Sequence, residues 1–102
     1  MSNKSKGTSA ERELINKVLP AEGYTQIIRA AASLGLADIV AWGPNRPLTV
    51  IEAKYIGEQG RAGFSKRKVL ADLLTIPDPS GGRLLRQLRI KRFRMGWEII
   101  EP

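Results

Sequence analysis

The chain contains no cysteine and no histidine. Without cysteine there is no disulfide framework, no thiolate nucleophile and no cysteine-ligated zinc. Without histidine there is no imidazole general base, no Ser-His-Asp triad and no histidine-bound metal centre. Long apolar runs are also missing: none approaches the roughly 20 residues that a membrane-spanning helix needs. The opening Met1-Ser2-Asn3-Lys4-Ser5-Lys6-Gly7 leads toward a charged helix and not an apolar segment. It therefore does not read as a signal peptide, and a cytoplasmic location is expected. Any catalysis must use carboxylates, lysine, hydroxyls and an oxygen-liganded metal. Mg²⁺ suits such ligands, with Mn²⁺ able to substitute.

What is present is compact and basic. A length of 102 residues suits one domain with one core, and 42% hydrophobic content argues against disorder. The formal net charge is +7. It is unevenly placed. Residues 56–94 hold ten cations (Arg61, Lys66, Arg67, Lys68, Arg83, Arg86, Arg89, Lys91, Arg92, Arg94) against three anions (Glu58, Asp72, Asp78). The remainder is balanced, with seven of each sign. A basic field of this kind attracts nucleic acid or an anionic surface, although a solvated, solubilising face reads the same way.

The hydrophobic spacing predicts the order α, β, β, β, α, β, β. Ala10, Leu14, Ile15, Val18 and Leu19 form one stripe of a helix over 9–19, which Pro20 and Gly23 stop. Residues 24–29, 38–42 and 48–55 read as strands, with a turn at 43–47. Residues 65–75 read as a basic amphipathic helix, followed by a loop at 76–82. Residues 83–94 are ambiguous: helix or strand at 83–88, strand from 87 to 93. A last strand covers 97–100. The expected fold class is α/β, a small mixed central sheet flanked by helices. A single domain over 1–102 is expected, with 1–8 as a flexible basic arm.

The chemistry concentrates on two neighbouring strands. Asp38 begins one, and Glu52-Ala53-Lys54 lies on the next. Residues two apart share a strand face, about 7 Å apart, so Glu52 and Lys54 point the same way. Asp38 falls opposite Glu52 only if the connecting loop has an odd count or the pairing contains a bulge, because a one-residue slip inverts every side chain. Two adjacent carboxylates repel; a raised pKa or a shared divalent cation relieves them. With a lysine beside them they suit metal-assisted phosphodiester hydrolysis. Glu11, on the apolar side of the first helix, is a further carboxylate for this group, whereas Glu13 points to solvent. Plainer assignments stand beside these. Glu52 and Lys54 make an ordinary surface ion pair, Asp38 a loop cap, Glu11 a capping partner for Thr8, and Ser33 a loop hydroxyl. Trp42 and Trp97 read as core or interface aromatics rather than stacking platforms.

Four stretches in collinear order resemble the archaeal-type Holliday junction resolvases. They are Lys6-Gly7-Thr8-Ser9-Ala10-Glu11-Arg12-Glu13-Leu14, the run from Arg29 through Ser33 to Asp38-Ile39-Val40-Ala41, Ile51-Glu52-Ala53-Lys54, and Gly96-Trp97-Glu98-Ile99-Ile100-Glu101. The likeness is close over 6–54 and loose over 81–101. It departs at Ala30 and Ala32, where Ser and Gly are usual, and residues 56–82 match poorly. The short, diverged C-terminal half suits a viral member, acting in its host's cytoplasm.

The resemblance implies a PD-(D/E)xK, restriction-endonuclease-like nuclease core, a homodimer and Mg²⁺-dependent cleavage of four-way DNA junctions. It assigns Glu11, Asp38, Glu52 and Lys54 to the active site, with Asp38, Glu52 and Glu11 around the metal. Ser33 matches the catalytic-loop serine, and Arg12 and Arg29 match arginines that contact phosphate. Lys4 and Lys6 on the arm, and Arg61, Lys66, Arg67 and Lys68 in the basic stretch, extend the DNA-binding set. The alternatives are a same-fold repair or restriction-like nuclease on duplex or flap DNA, and a non-catalytic DNA-binding protein.

Overall fold

In a computed structural model of the chain, the residues described are 9–29 and 37–102. Lys4, Lys6, Thr8 and Ser33, and with them the basic arm and the Thr8 cap, lie outside this set. Helix α1 covers residues 9–21. Strands β1 (Gln26–Arg29), β2 (Ile39–Gly43) and β3 (Arg46–Ile56) follow. Helix α2 (Lys66–Leu74) leads to β4 (Leu85–Arg92) and β5 (Trp97–Ile100). The five strands lie in sequence order in one sheet. All neighbours are antiparallel except β3 and β4, which are parallel. A parallel pair cannot be joined by a tight turn; α2 supplies the crossover. The element order and the mixed sheet are those the sequence predicts.

The two faces of the sheet carry separate cores. On one, α1 buries Leu14 and Leu19 against Tyr24, Ile39, Ala41 and Ile51. On the other, Leu73 of α2 meets Val50, Ile56, Leu88 and Ile90. The predicted stripe of α1 thus faces inward, but the helix passes Pro20 and ends at Ala21. Proline cannot donate to the Asn16 carbonyl and crowds it. Just ahead of it the ladder widens into a π-helical segment, Leu14–Val18, and Leu19 N–H donates to the Leu14 carbonyl.

Strand β4 resolves the ambiguous stretch as strand from Leu85 onward. It is buried on both faces over Gln87–Ile90, which hides the alternation of an exposed strand. Arg89 is 1% exposed. Its guanidinium donates to both carboxylate oxygens of Glu22, at 2.8 and 2.7 Å, and its Nε donates to Gln87 Oε1 at 2.9 Å. Glu22 directly follows α1. At the other end of the helix, Glu13 accepts from Trp97 Nε1 at 3.0 Å and lies 4.0 Å from Lys91 Nζ. Glu13 is therefore a cross-sheet tie, not the purely solvated group expected. Charge pairs clip both ends of α1 to the sheet, mainly to β4.

Truncating one member of a buried ion pair strands the other charge. Glu22→Ala should cost about 3 kcal/mol of unfolding free energy in urea. A loss below about 1 kcal/mol would show that the Arg89 guanidinium finds compensation elsewhere.

Candidate active site

The register of β2 against β3 decides whether a site exists. The connecting turn is only Pro44-Asn45, an even count that alone would put Asp38 and Glu52 on opposite faces. Gly43 pairs with Arg46, yet Ala41 pairs with Thr49 and Ile39 with Ile51, with a register shift between. The extra residue on β3 falls beside Pro47, which has no N–H to place in a ladder and is tolerated at a bulge. The shift restores the odd register, so Asp38 comes level with Glu52. Its backbone N–H donates to the Ile51 carbonyl at 2.9 Å, and its Oδ2 accepts from Ala53 N–H at 3.0 Å. Asp38 thus ties itself across to β3; the loop before it, residues 30–36, lies outside the described residues.

Glu52 and Lys54 belong to the alternate positions of β3 whose neighbours Val50 and Ile56 pack in the α2-side core. Lys54 Nζ lies 3.6 Å from Glu52 Oε2, and the two side chains are 33% and 15% exposed. This is not an ion pair on an open strand. Burial is the largest influence on the Glu52 carboxyl; the hydrogen bond and the negative charge of Asp38 add to it, and Lys54 offsets part. Together they raise its pKa from 4.5 to about 8. Without a further positive charge, the pair keeps a proton. A divalent cation bound to both carboxylates would supply that charge, so the donor set fits one.

Glu11 sits on α1, the helix that packs against the other face of the sheet. It is ion-paired to Arg29 Nε at 2.8 Å, and a shallow cavity of about 100 Å³ opens beside them, lined also by Arg12, Ile15 and Asn16. Among the described residues there is no group of three acidic side chains that could hold a metal. The structure therefore gathers Asp38, Glu52 and Lys54 into one cluster and sets Glu11, Arg12 and Arg29 into another.

The basic residues also divide. Ser65 caps α2, its Oγ accepting from Lys68 N–H at 3.2 Å, and Lys66, Arg67 and Lys68 form the exposed first turn. Arg61 is exposed in the preceding loop. On β4, by contrast, Arg89 is buried with Glu22. Arg86 Nη2 donates to the Ile76 carbonyl, Lys91 Nζ to the Met95 carbonyl, and Arg92 pairs with Glu98. Part of the charge expected on a surface field is spent inside the fold. Sequence reasoning missed Phe64, whose ring lies 5.6 Å from Lys54 Nζ. Its sole signal was an aromatic just before a helix cap.

A mixed sheet that brings Asp38, at the start of β2, beside Glu52 and Lys54 of the central strand defines a nuclease core of the restriction-endonuclease-like class. A family model of archaeal Holliday junction resolvases (Hjc) matches residues 2–102, and the chain belongs to that family of junction-resolving endodeoxyribonucleases. Among solved structures it is similar to Hjc from Archaeoglobus fulgidus, an archaeal hyperthermophile, with a TM-score of 0.65 and 27% identity. That match covers 94% of this chain and 72% of the other. No curated protein matches. No helix among the described residues is long and apolar enough to cross a membrane.

The Glu52 shift has a thermodynamic consequence. Between 4.5 and about 8 the native carboxyl is protonated while the unfolded one is ionised. The native state then binds more protons, so stability is full below that window and falls as pH rises through it. In chelator, thermal melts of the wild type should lose stability relative to Glu52→Gln across this range. A divalent cation should flatten the difference. Parallel profiles for the two proteins would show that Glu52 is not perturbed.

Proposed function

We propose that this chain resolves four-way DNA junctions by Mg²⁺-dependent hydrolysis, with Mn²⁺ able to substitute, as a homodimer that makes paired nicks. The observation that carries this reading is the Asp38–Glu52–Lys54 cluster, where two carboxylates abut in a setting short of positive charge. Asp38 and Glu52 would hold the cation, with Glu11 completing or orienting its shell. When bound, the cation polarises the scissile phosphate and lowers the pKa of a water. Lys54 acts on the chain's own account: its ammonium holds the attacking water or stabilises charge on the phosphorane-like transition state. Ser33 positions the scissile phosphate.

Substrate choice rests on phosphates more than on base edges, since a branched structure is recognised by the path of its backbones. Arg12 and Arg29, the exposed Arg61-to-Lys68 region and Lys4 and Lys6 on the basic arm would supply those contacts. The two strands of a junction are cut symmetrically, and one site cannot reach both. A two-fold dimer supplies two sites related as the strands are. The unit doing this is a single nuclease domain spanning the chain, working in the cytoplasm.

Three variants probe the cluster. Asp38→Asn, Glu52→Gln and Lys54→Ala should each slow single-turnover cutting by ~10²-fold or more while junction binding in a gel-shift assay stays intact. Loss of binding in all three would count against catalytic roles. The substrate is checked on a denaturing gel with a labelled four-way junction beside linear duplex of the same sequence. Paired nicks in opposed strands with the duplex spared are expected; equal cutting of both would move the function to a general nuclease. Replacing Lys66, Arg67 and Lys68 by Ala together should reduce the slope of log affinity against log salt by roughly 2–3. An unchanged slope would remove the first turn of α2 from the DNA face.

A further inference from the structure

Lysine has four rotatable side-chain bonds, and an unrestrained ammonium samples many positions. Lys54 is two-thirds covered, and its Nζ is 3.6 Å from Glu52 Oε2, longer than a good N–H···O hydrogen bond. Even holding one proton the Asp38–Glu52 pair is net negative, and a cation beside it should close that distance unless something draws it the other way. The Phe64 ring does so, with Nζ 5.6 Å from its centroid, within the range of a cation–π attraction. The ring is itself fixed. Phe64 packs against the core formed by Ile56, Leu73 and Leu88, and the next residue is the Ser65 cap of α2.

We infer that Phe64 is a positioning residue for strand cutting: its aromatic face holds the Lys54 ammonium partly off Glu52, leaving the carboxylate oxygens free and the ammonium aimed at the reacting phosphate. This rests on the reading of Lys54 as catalytic. Hydrophobic packing alone explains why residue 64 is apolar. It does not explain why the group facing the cation is a π-face. A leucine would fill the same core without attracting an ammonium, and that difference isolates the inference.

Three purified proteins test it: wild type, Phe64→Leu and Phe64→Tyr, with thermal melts to confirm folding. Phe64→Leu should lower the single-turnover cutting rate on a four-way junction about three- to tenfold, with the junction Kd unchanged. Phe64→Tyr, which keeps the ring face, should restore the rate. In the metal-free protein the Lys54 Hε protons should show an upfield ring-current shift by NMR in wild type and Phe64→Tyr, absent from Phe64→Leu. That readout needs no activity and does not respond to packing alone. If Phe64→Leu fails to fold, Phe64→Met takes its place. Wild-type cutting by the aliphatic variant, failure of Phe64→Tyr to restore the rate, or unshifted Lys54 Hε protons in the wild type would each overturn the inference. Lys54→Ala separates the two levels. If it cuts normally, the catalytic reading of Lys54 is what fails; if it is inactive while Phe64→Leu is normal, the inference about Phe64 fails alone.

Discussion

Two carboxylates that repel each other are held side by side by backbone hydrogen bonds of the sheet. Asp38 is tied to β3 on both sides of Glu52, through the Ile51 carbonyl and the Ala53 amide. The first bond cannot be released without unpairing the start of β2, and the second turns the Asp38 side chain toward β3. Strand pairing therefore carries the cost of the electrostatic conflict, and the conflict is what gives the site its demand for a proton or a cation. A looser scaffold would let the two groups turn to solvent and lose that demand. The central strand can impose it because β3 is bonded along both edges, to β2 and β4.

The same logic of imposed charge runs through the α1 side of the sheet. Glu22 is held by the buried Arg89, and Glu13 by Trp97 with Lys91 nearby. A buried ion pair is weak evidence of net stability, because desolvation consumes much of the attraction. What it does supply is a constraint on placement, since in this seating of the helix both acids meet partners on the sheet. Glu11 rides on that helix, two residues from Glu13, so its station beside Arg29 depends on the same seating. The π-helical segment Leu14–Val18 separates the two ties.

How much of this could be read beforehand depends on whether the signal was local. The elements followed from hydrophobic period and turn residues, and the Asp38–Glu52–Lys54 group followed from strand parity plus a stated need for an odd loop or a bulge. Pro47 is the residue that settles that need, and its meaning is clear only once the turn is known to be Pro44-Asn45. The ambiguous 83–88 stretch was ambiguous for a physical reason: β4 is covered on both faces, so polar residues at alternate positions no longer mark solvent. In the sequence Arg89 is indistinguishable from the surface cations because its partner, Glu22, is 67 residues away. Trp97 and Glu13, 84 apart, are a second case. Trp42, read as a core or interface aromatic, is 37% exposed on β2.

Charge on α2 runs against local stability. Cations in a helix's first turn oppose the macrodipole, and each costs a few tenths of a kcal/mol. Lys66, Arg67 and Lys68 occupy three consecutive positions there, relieved among the described residues by the Ser65 cap and a long contact from Lys68 to Asp72 at 3.8 Å. On β4 Arg86, Arg89, Lys91 and Arg92 each bond to the fold, whereas among the described residues the side chains of this triplet make only the Lys68–Asp72 contact. Phe64 stands between the triplet and Lys54, so the end of β3 and the start of α2 meet at one aromatic ring next to one serine cap. The proposed catalytic lysine and the proposed DNA-binding triplet thus lie on a single crossover, from the end of β3 to the first turn of α2, which is also the segment where the resemblance to the family is weakest. A divergence there can alter substrate geometry while the carboxylates, fixed by the register of β2 and β3, stay where they are.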